Sequence, residues 1–352
     1  MFGKGRLLTT AAAGAAALAV AACGSSSKSA SPKGSASTKA TELTGAGSTL
    51  VAPLVSIWAP EYQKTAGVTI VYSAIGSGGG ISSITARDVD FGASDAPLTE
   101  DEFKEAKGVE QIPWALAATL VAYNVPGVGN QLKLTGPLLA EIFLGKITNW
   151  DDPKIQALNP GVKLPNLKIT PVYRTDGSGD TFAFTNYLSH ISPEFKEKVG
   201  NSTQVRWPVG IGGKGNSGVG TQISSTPGAI GYIAIAYVLE NHYHYALIQN
   251  AAGKYPVPDI ETIEAAASAV SSAPENNAIS LVDPPASAPN AYPIATFTYV
   301  LVPYESPKAE TLKAFLKWAI TTGQQFGPKL DFAPLPSSIV KIDEAAIEKI
   351  KP

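Results

Sequence analysis

The residues that build catalytic and metal centres are scarce in this 352-residue chain. It has one cysteine, Cys23, so no disulfide can close within the chain and no cysteine-based metal site can form. It has three histidines, and two of them, His242 and His244, lie in an aromatic run with Tyr243 and Tyr245 that reads as surface or half-buried structure rather than a metal site. No Gly-x-Ser-x-Gly elbow is present to hold a hydrolase nucleophile. Gly210-Ile211-Gly212-Gly213-Lys214-Gly215 has the G-x-G-x-x-G form, but it follows Trp207-Pro208 rather than a clear strand, and no acidic residue lies at the ribose-binding distance. Gly215 after Lys214 also excludes a P-loop. Charged residues make up 16% with a net charge of −2, and no basic tract offers a footprint for nucleic acid. Any anion must therefore be drawn by a local field rather than by the surface as a whole. The apolar stretch from Leu7 to Val20 is too short and alanine-rich to span a bilayer.

That stretch has another use. Lys4 and Arg6 precede it, and Ala21-Ala22-Cys23-Gly24 follow it. Small residues before a cysteine resemble a bacterial lipobox, which implies that residues 1–23 form a signal segment and that Cys23 becomes a lipid-bearing N-terminus. The alternative is an ordinary cleavage site beside a stray thiol. Two acyl chains give a stable anchor where one is marginal. Residues 24–41, rich in Ser, Lys, Ala and Gly, read as a flexible tether with a reach of roughly 20–25 Å.

From Glu42 onward, short β-rich runs alternate with helical patterns, which predicts an α/β fold with mostly parallel sheets, and the length suggests about two domains. Thr69–Tyr72 and Val89–Ala93 read as strands. Val51, Leu54, Val55, Trp58 and Tyr62 line one helix face, and Phe184, Tyr187, Leu188 and Ile191 line another. Residues 116–125 and 294–302 read as long strands able to carry the chain out of a first lobe and back into it. Residues 252–290, poor in pattern, are expected to be a surface excursion.

Three segments share one form, a β-like run followed by a Gly/Ser/Thr turn and a helix. They are Gly45-Ala46-Gly47-Ser48-Thr49-Leu50, Gly76-Ser77-Gly78-Gly79-Gly80, and Arg174-Thr175-Asp176-Gly177-Ser178-Gly179-Asp180-Thr181. A helix N-terminus presents unpaired N–H groups and partial positive charge, which suit a tetrahedral oxyanion. Singly, each segment is ordinary capping, with Ser48 or Thr49 suited to the first N-cap. Together, the third carrying Arg174, they suggest one site at the strand ends of two facing lobes. Asp176 and Asp180 look out of place beside an anion unless the anion carries protons, and that points to phosphate. Asp95, after the Val89–Ala93 run, reads equally as a turn aspartate.

GAGSTL, IGSGGG, VDFGASDAPL, RTDGSGDTF, WPVGIGGKGN, PGAIGY and YPIATFTYVLV, in that order, resemble the substrate-binding lipoproteins of bacterial phosphate ABC importers over nearly everything from Thr44 to Lys349. The resemblance implies a two-lobed, hinged periplasmic-binding-protein fold of type II, each lobe a mostly parallel or mixed sheet flanked by helices. Residues 42–120 with 292–352 would form lobe I and residues 121–291 lobe II, hinged near 118–124 and 290–297. It assigns phosphate contacts to Ser48, Thr49, Leu50, Ser77, Asp95, Arg174, Ser178, Gly179 and Asp180. Asp176 would steady Arg174. Many relatives have Thr where Asp180 stands, so either Asp180 completes the shell or the helix start shifts to bring in Thr181. Asp95 would accept a hydrogen from the ligand, which sulfate at neutral pH does not offer.

The function implied is extracytoplasmic capture of inorganic phosphate by a lipid-anchored, monomeric, non-enzymatic receptor. It would hand phosphate to permease subunits driven by a separate ATPase, without cofactor, metal or nucleic acid. Two readings compete. A sulfate or molybdate receptor would present donors only. A phosphate-ester hydrolase would need a nucleophile–base pair or a metal cluster, with Ser178 or Asp180 as the phosphoryl acceptor.

Overall fold

The computed structural model describes residues 41–270, 274 and 276–352. Cys23 and the expected signal segment lie outside the described residues. The chain begins with β1 (Glu42–Gly47), α1 (Ala52–Ala66), β2 (Thr69–Ala74), α2 (Ser77–Ala86), β3 (Phe91–Ser94), α3 (Glu100–Ala106) and the long β4 (Val109–Asn124). There follow β5 (Lys133–Leu134), α4 (Gly136–Phe143), α5 (Pro153–Leu158), β6 (Thr170–Arg174), α6 (Gly179–Ile191), α7 (Pro193–Lys198), β7 (Ile211–Gly213) and α8 (Gly215–Ser225). Next come β8 (Ala229–Ala234), α9 (Ile235–Glu240), β9 (His244–Tyr245), β10 (Leu247–Ile248) and α10 (Ile260–Ser268). The return passes through β11 (Ala295–Pro303), α11 (Ala309–Ile320), a 3-10 segment (Thr322–Leu330) and α12 (Ser337–Ile347).

One mixed sheet organises these elements in the order β2-β1-β3-β11-β4-β8-β6-β7, with β9 also on β4 and a separate β5–β10 pair. The expected α/β architecture is thus present, with parallel pairs on both sides of an antiparallel centre. The centre is β4. Its residues Val109 to Ala118 pair with β11, and from Thr119 to Asn124 it pairs with β8. Nearly every β4 residue is buried. A strand covered on both faces loses its apolar–polar alternation, which is why it reads as a continuous apolar run. It starts seven residues before the expected 116, because Pro113 sits where the register against β11 shifts. A bulge tolerates the missing N–H.

The helices form where their patterns place them. Pro53 occupies the first turn of α1, where the lost N–H has no intrahelical partner. Leu54, Val55, Trp58 and Tyr62 are buried there, and Gly67 ends the helix at φ 70°. Trp58 packs edge-on against Trp114 at 5.3 Å, and its Nε1 donates to the Gly323 carbonyl at 2.8 Å. In α6, Phe184, Tyr187 and Leu188 are buried, and Phe184 stacks on Tyr232 at 4.8 Å.

Two expectations need correction. The Gly78–Gly80 run is the first turns of α2 itself rather than a turn before it. A Cβ at Gly80 would lie 2.5 Å from the Ala93 carbonyl oxygen, so only glycine lets α2 lie this close to β1 and β3. The excursion at 252–290 contains α10, capped reciprocally by Asp259 and Thr262, and it buries Ile263, Ala266, Ile279 and Leu281. Its small residues hid the helical period.

Candidate functional site

Four strand ends feed the site. Ser48 and Thr49 follow β1, Asp95 follows β3, Arg174 ends β6, and β7 leads into α8. Within each half the strands are parallel and end together, and because the two sets run in opposite senses across β11 and β4 their ends meet where helices α1, α2, α6 and α8 begin. All nine residues expected to touch the anion fall in one hydrogen-bonded network or beside it. It is closed to solvent, with Asp95 2%, Arg174 4%, Thr49 7% and Asp180 0% exposed.

Asp95 is the hub of one half. Its Oδ1 accepts from Ser48 Oγ at 2.6 Å and from Thr298 Oγ1 at 2.9 Å, and its Oδ2 accepts from Ser77 Oγ at 3.3 Å. Burial, and then the charge of Asp180, push its carboxyl up to about 7, against the hydrogen bonds from Ser48 and Thr298 and the charge of Arg174. Ser48 Oγ also accepts the Leu50 and Val51 N–H groups at 3.0 and 3.2 Å, closing the turn before α1; the N-cap itself is Val51, which has no side-chain cap, so neither Ser48 nor Thr49 takes the expected N-cap position. Ser77 Oγ accepts the N–H of Asp95 at 3.1 Å and of Gly179 at 3.0 Å. Each hydroxyl has one proton and two lone pairs, so both serines are fully committed to protein partners.

Arg174 is the hub of the other half. Its Nε and Nη2 donate to the two oxygens of Asp176 at 2.8 and 2.5 Å, and Nη1 donates to Asp180 Oδ2 at 3.1 Å. Three of the five guanidinium N–H groups are thereby placed, and two remain. Burial opposes charge on Asp176, yet the hydrogen bond and charge of Arg174, with the Gly215 N–H, hold it below the usual carboxylate range. Burial raises Asp180, against the charge of Arg174 and the hydrogen bonds of Thr119 and Asn216. Asp180 Oδ1 accepts from Thr119 Oγ1 at 2.7 Å, and Oδ2 also accepts from Asn216 Nδ2 at 2.8 Å.

The start of α6 is not shifted. Ser178 caps it by accepting the Thr181 N–H at 3.2 Å, Gly179 is its first residue, and Asp180 faces Arg174. Thr181 Oγ1 instead meets the Tyr232 hydroxyl at 2.8 Å, which also accepts the Arg174 backbone N–H. Several expected N–H donors have protein acceptors here: Leu50 on Ser48, Ser178 on the Thr203 carbonyl, and Gly179 on Ser77. Among the described residues, the N–H groups of Thr49, Ser77 and Asp180 have no acceptor.

The two halves touch directly. Gly78 N–H donates to the Gly177 carbonyl at 3.0 Å. A Cβ on Gly179 would stand 2.3 Å from Asp95 Cβ, so glycine there is what lets α6 abut Asp95. Sequence reasoning missed Thr119, Asn216, Tyr232 and Thr298. Asn216 had a signal, since Gly210 to Asn216 is a fourth strand–turn–helix segment. The threonines lie in uniformly buried strands and had none. His190, His242 and His244 are exposed, and no metal-binding cluster occurs among the described residues.

Helix starts, a paired arginine and a buried carboxylate at the ends of parallel strands define the class as an anion-binding receptor of the PBP superfamily. The family model described as PBP superfamily domain matches residues 31–322. Within that class, the chain belongs to the family of phosphate-binding proteins PstS. It is 43% identical over 323 residues to phosphate-binding protein PstS of Xylella fastidiosa, covering 90% of this chain and 88% of the relative. To that of Haemophilus influenzae it is 40% identical over 306 residues, covering 86% and 91%. The fold matches a phosphate ABC transporter substrate-binding protein of Clostridium perfringens, solved with bound phosphate, at a TM-score of 0.62 and 19% identity, covering 84% and 100%.

Proposed function

We infer that the chain captures inorganic phosphate outside the cytoplasm and delivers it to the permease of an ABC importer. One observation carries this reading beyond kinship: Asp95 is buried on the same network as Arg174 and the starts of three helices. An anion carrying no proton would set its oxygens against that carboxylate. A protonated phosphate gives it a hydrogen bond, so Asp95 selects phosphate over sulfate, a difference of roughly 10⁴–10⁵ where a buried polar group would otherwise go unpaired. Arg174 is already balanced by Asp176 and Asp180, so most attraction must come from neutral donors, the N–H groups of Thr49, Ser77 and Asp180 and the Thr49 hydroxyl, joined by the two remaining Arg174 N–H groups. Three protein donors on the Asp180 carboxylate favour its role as counter-charge to Arg174 over that of a second proton acceptor. Titration calorimetry of phosphate and sulfate with wild type and Asp95→Asn tests this. Equal sulfate binding by the wild type would end it.

Residues 42–120 with 292–352 form one lobe and 121–291 the other, closing about β4 and the approach to β11. Cys23 carries the lipid that holds a monomeric receptor at the outer face of the membrane. The receptor is not an enzyme, and release of product from a chromogenic phosphate ester would contradict that.

A further inference from the structure

We infer that Asn216 is a positioning residue that sets the polarity of Thr49 and latches the closed site. This rests on the reading above, that two lobes close on phosphate. Asn216 is the second residue of α8 and is 1% exposed. Its side chain makes three hydrogen bonds. Its Nδ2 donates to Thr49 Oγ1 at 2.9 Å and to Asp180 Oδ2 at 2.8 Å, and its Oδ1 accepts the Ala234 N–H at 2.8 Å. Only oxygen can accept from a backbone N–H and only nitrogen can donate to a carboxylate, so this amide has a single orientation.

Two consequences follow from that orientation. A threonine hydroxyl can give or take a hydrogen bond, and so can face either a bare or a protonated ligand oxygen. With Asn216 filling one of its two lone pairs, the Thr49 oxygen is fixed in place and its O–H is free to give. Asn216 therefore biases an ambivalent group toward donation to a bare phosphate oxygen, while Asp95 reads the protonated one. The second consequence is mechanical. Thr49 follows β1 and Asn216 follows β7, on opposite sides of β4 in the sheet order. Their bond spans the two halves, as do those from Gly179 to Ser77 and from Gly78 to Gly177. The Gly78 bond is made by backbone alone and the Gly179 bond also uses a serine that orients Asp95. Asn216 is the span whose side chain also holds the Asp180 partner of Arg174. The residue before it, Gly215 at φ 66°, gives its N–H to Asp176, so the same turn braces both carboxylates around Arg174.

The test is stopped-flow phosphate binding by the full folded chain. In Asn216→Ala the dissociation rate should rise roughly tenfold to a hundredfold, the range for losing a hydrogen bond to a charged network, with association changed little. The penalty should shrink in a Thr49→Val background, because both changes remove the same bond. A packing role alone would lower the melting temperature, leave the dissociation rate of the folded fraction unchanged and add to Thr49→Val, which would overturn the inference. Should Asn216→Ala not fold, Asn216→Asp keeps the shape and the acceptor for Ala234 but takes the Thr49 proton. It should bind phosphate more weakly than wild type, and wild-type affinity in that variant would also overturn the inference. Absence of phosphate binding by the wild type itself would instead sink the parent reading, and this one with it.

Discussion

At Asp95 a carboxylate accepts three hydroxyl hydrogen bonds in a site without solvent, yet sits near the middle of its titration at neutral pH. The sign of its effect on stability follows. Its folded value, about 7, lies above the unfolded 3.8, so its contribution is fully present below about pH 4 and is lost as the pH rises to about 7. Each unit within that window costs about 1.4 kcal/mol for this group. Denaturant titrations in phosphate-free buffer should show that decline in wild type and a flatter profile in Asp95→Asn. Gly179 makes a second residue-level prediction. Gly179→Ala sets a methyl group 2.3 Å from Asp95 Cβ, so the contact between the halves must part: the melting temperature should fall by a few degrees and phosphate affinity at least about tenfold, by thermal denaturation and calorimetry.

Elements hold these residues in place by means the sequence shows unevenly. The faces of α1 and α6 were legible because a helix half-covered by solvent keeps its 3.6-residue period. The long strands were legible as apolar runs, but not which of their residues point at the site, since nearly every position is buried. Thr119 shows the cost of that uniformity. It sits where β4 changes partner from β11 to β8 and donates to Asp180, linking the crossover strand to the site. On α12, Asp343 is buried with neither carboxyl oxygen hydrogen-bonded among the described residues, and burial holds its carboxyl well above the usual range. Its protonated form belongs to the folded state, so it costs stability as the pH rises. Asp343→Leu should stabilise the fold by about 1–3 kcal/mol near neutral pH and by less in acid, as read from denaturant midpoints.

At the scale of the whole molecule, the proposed closure needs a hinge. The proposed hinge is narrow: Thr119 N–H donates to the Ile294 carbonyl and Tyr292 hydroxyl to the Thr119 carbonyl, next to the change of partners along β4. Small-angle scattering should show a smaller radius of gyration with phosphate than without, and identical curves would count against closure. Replacing Cys23 by serine should release the protein from cell membranes without altering phosphate affinity, as fractionation and calorimetry would show.

The order of motifs along the chain determined the family, and local chemistry determined where helices begin, where a cation stands and which residues suit an anion. Those are properties of neighbours in sequence, set by capping, periodicity and residue type. Only the tertiary structure decided which donors remain. The serines are spent on Asp95 and on the partner half, Leu50 is spent on Ser48, and Asp180 is held between Thr119, Arg174 and Asn216. Hydrogen-bond capacity is exhausted by partners far apart in the chain, and Asn216 is 167 residues from Thr49, a distance over which no local pattern can signal.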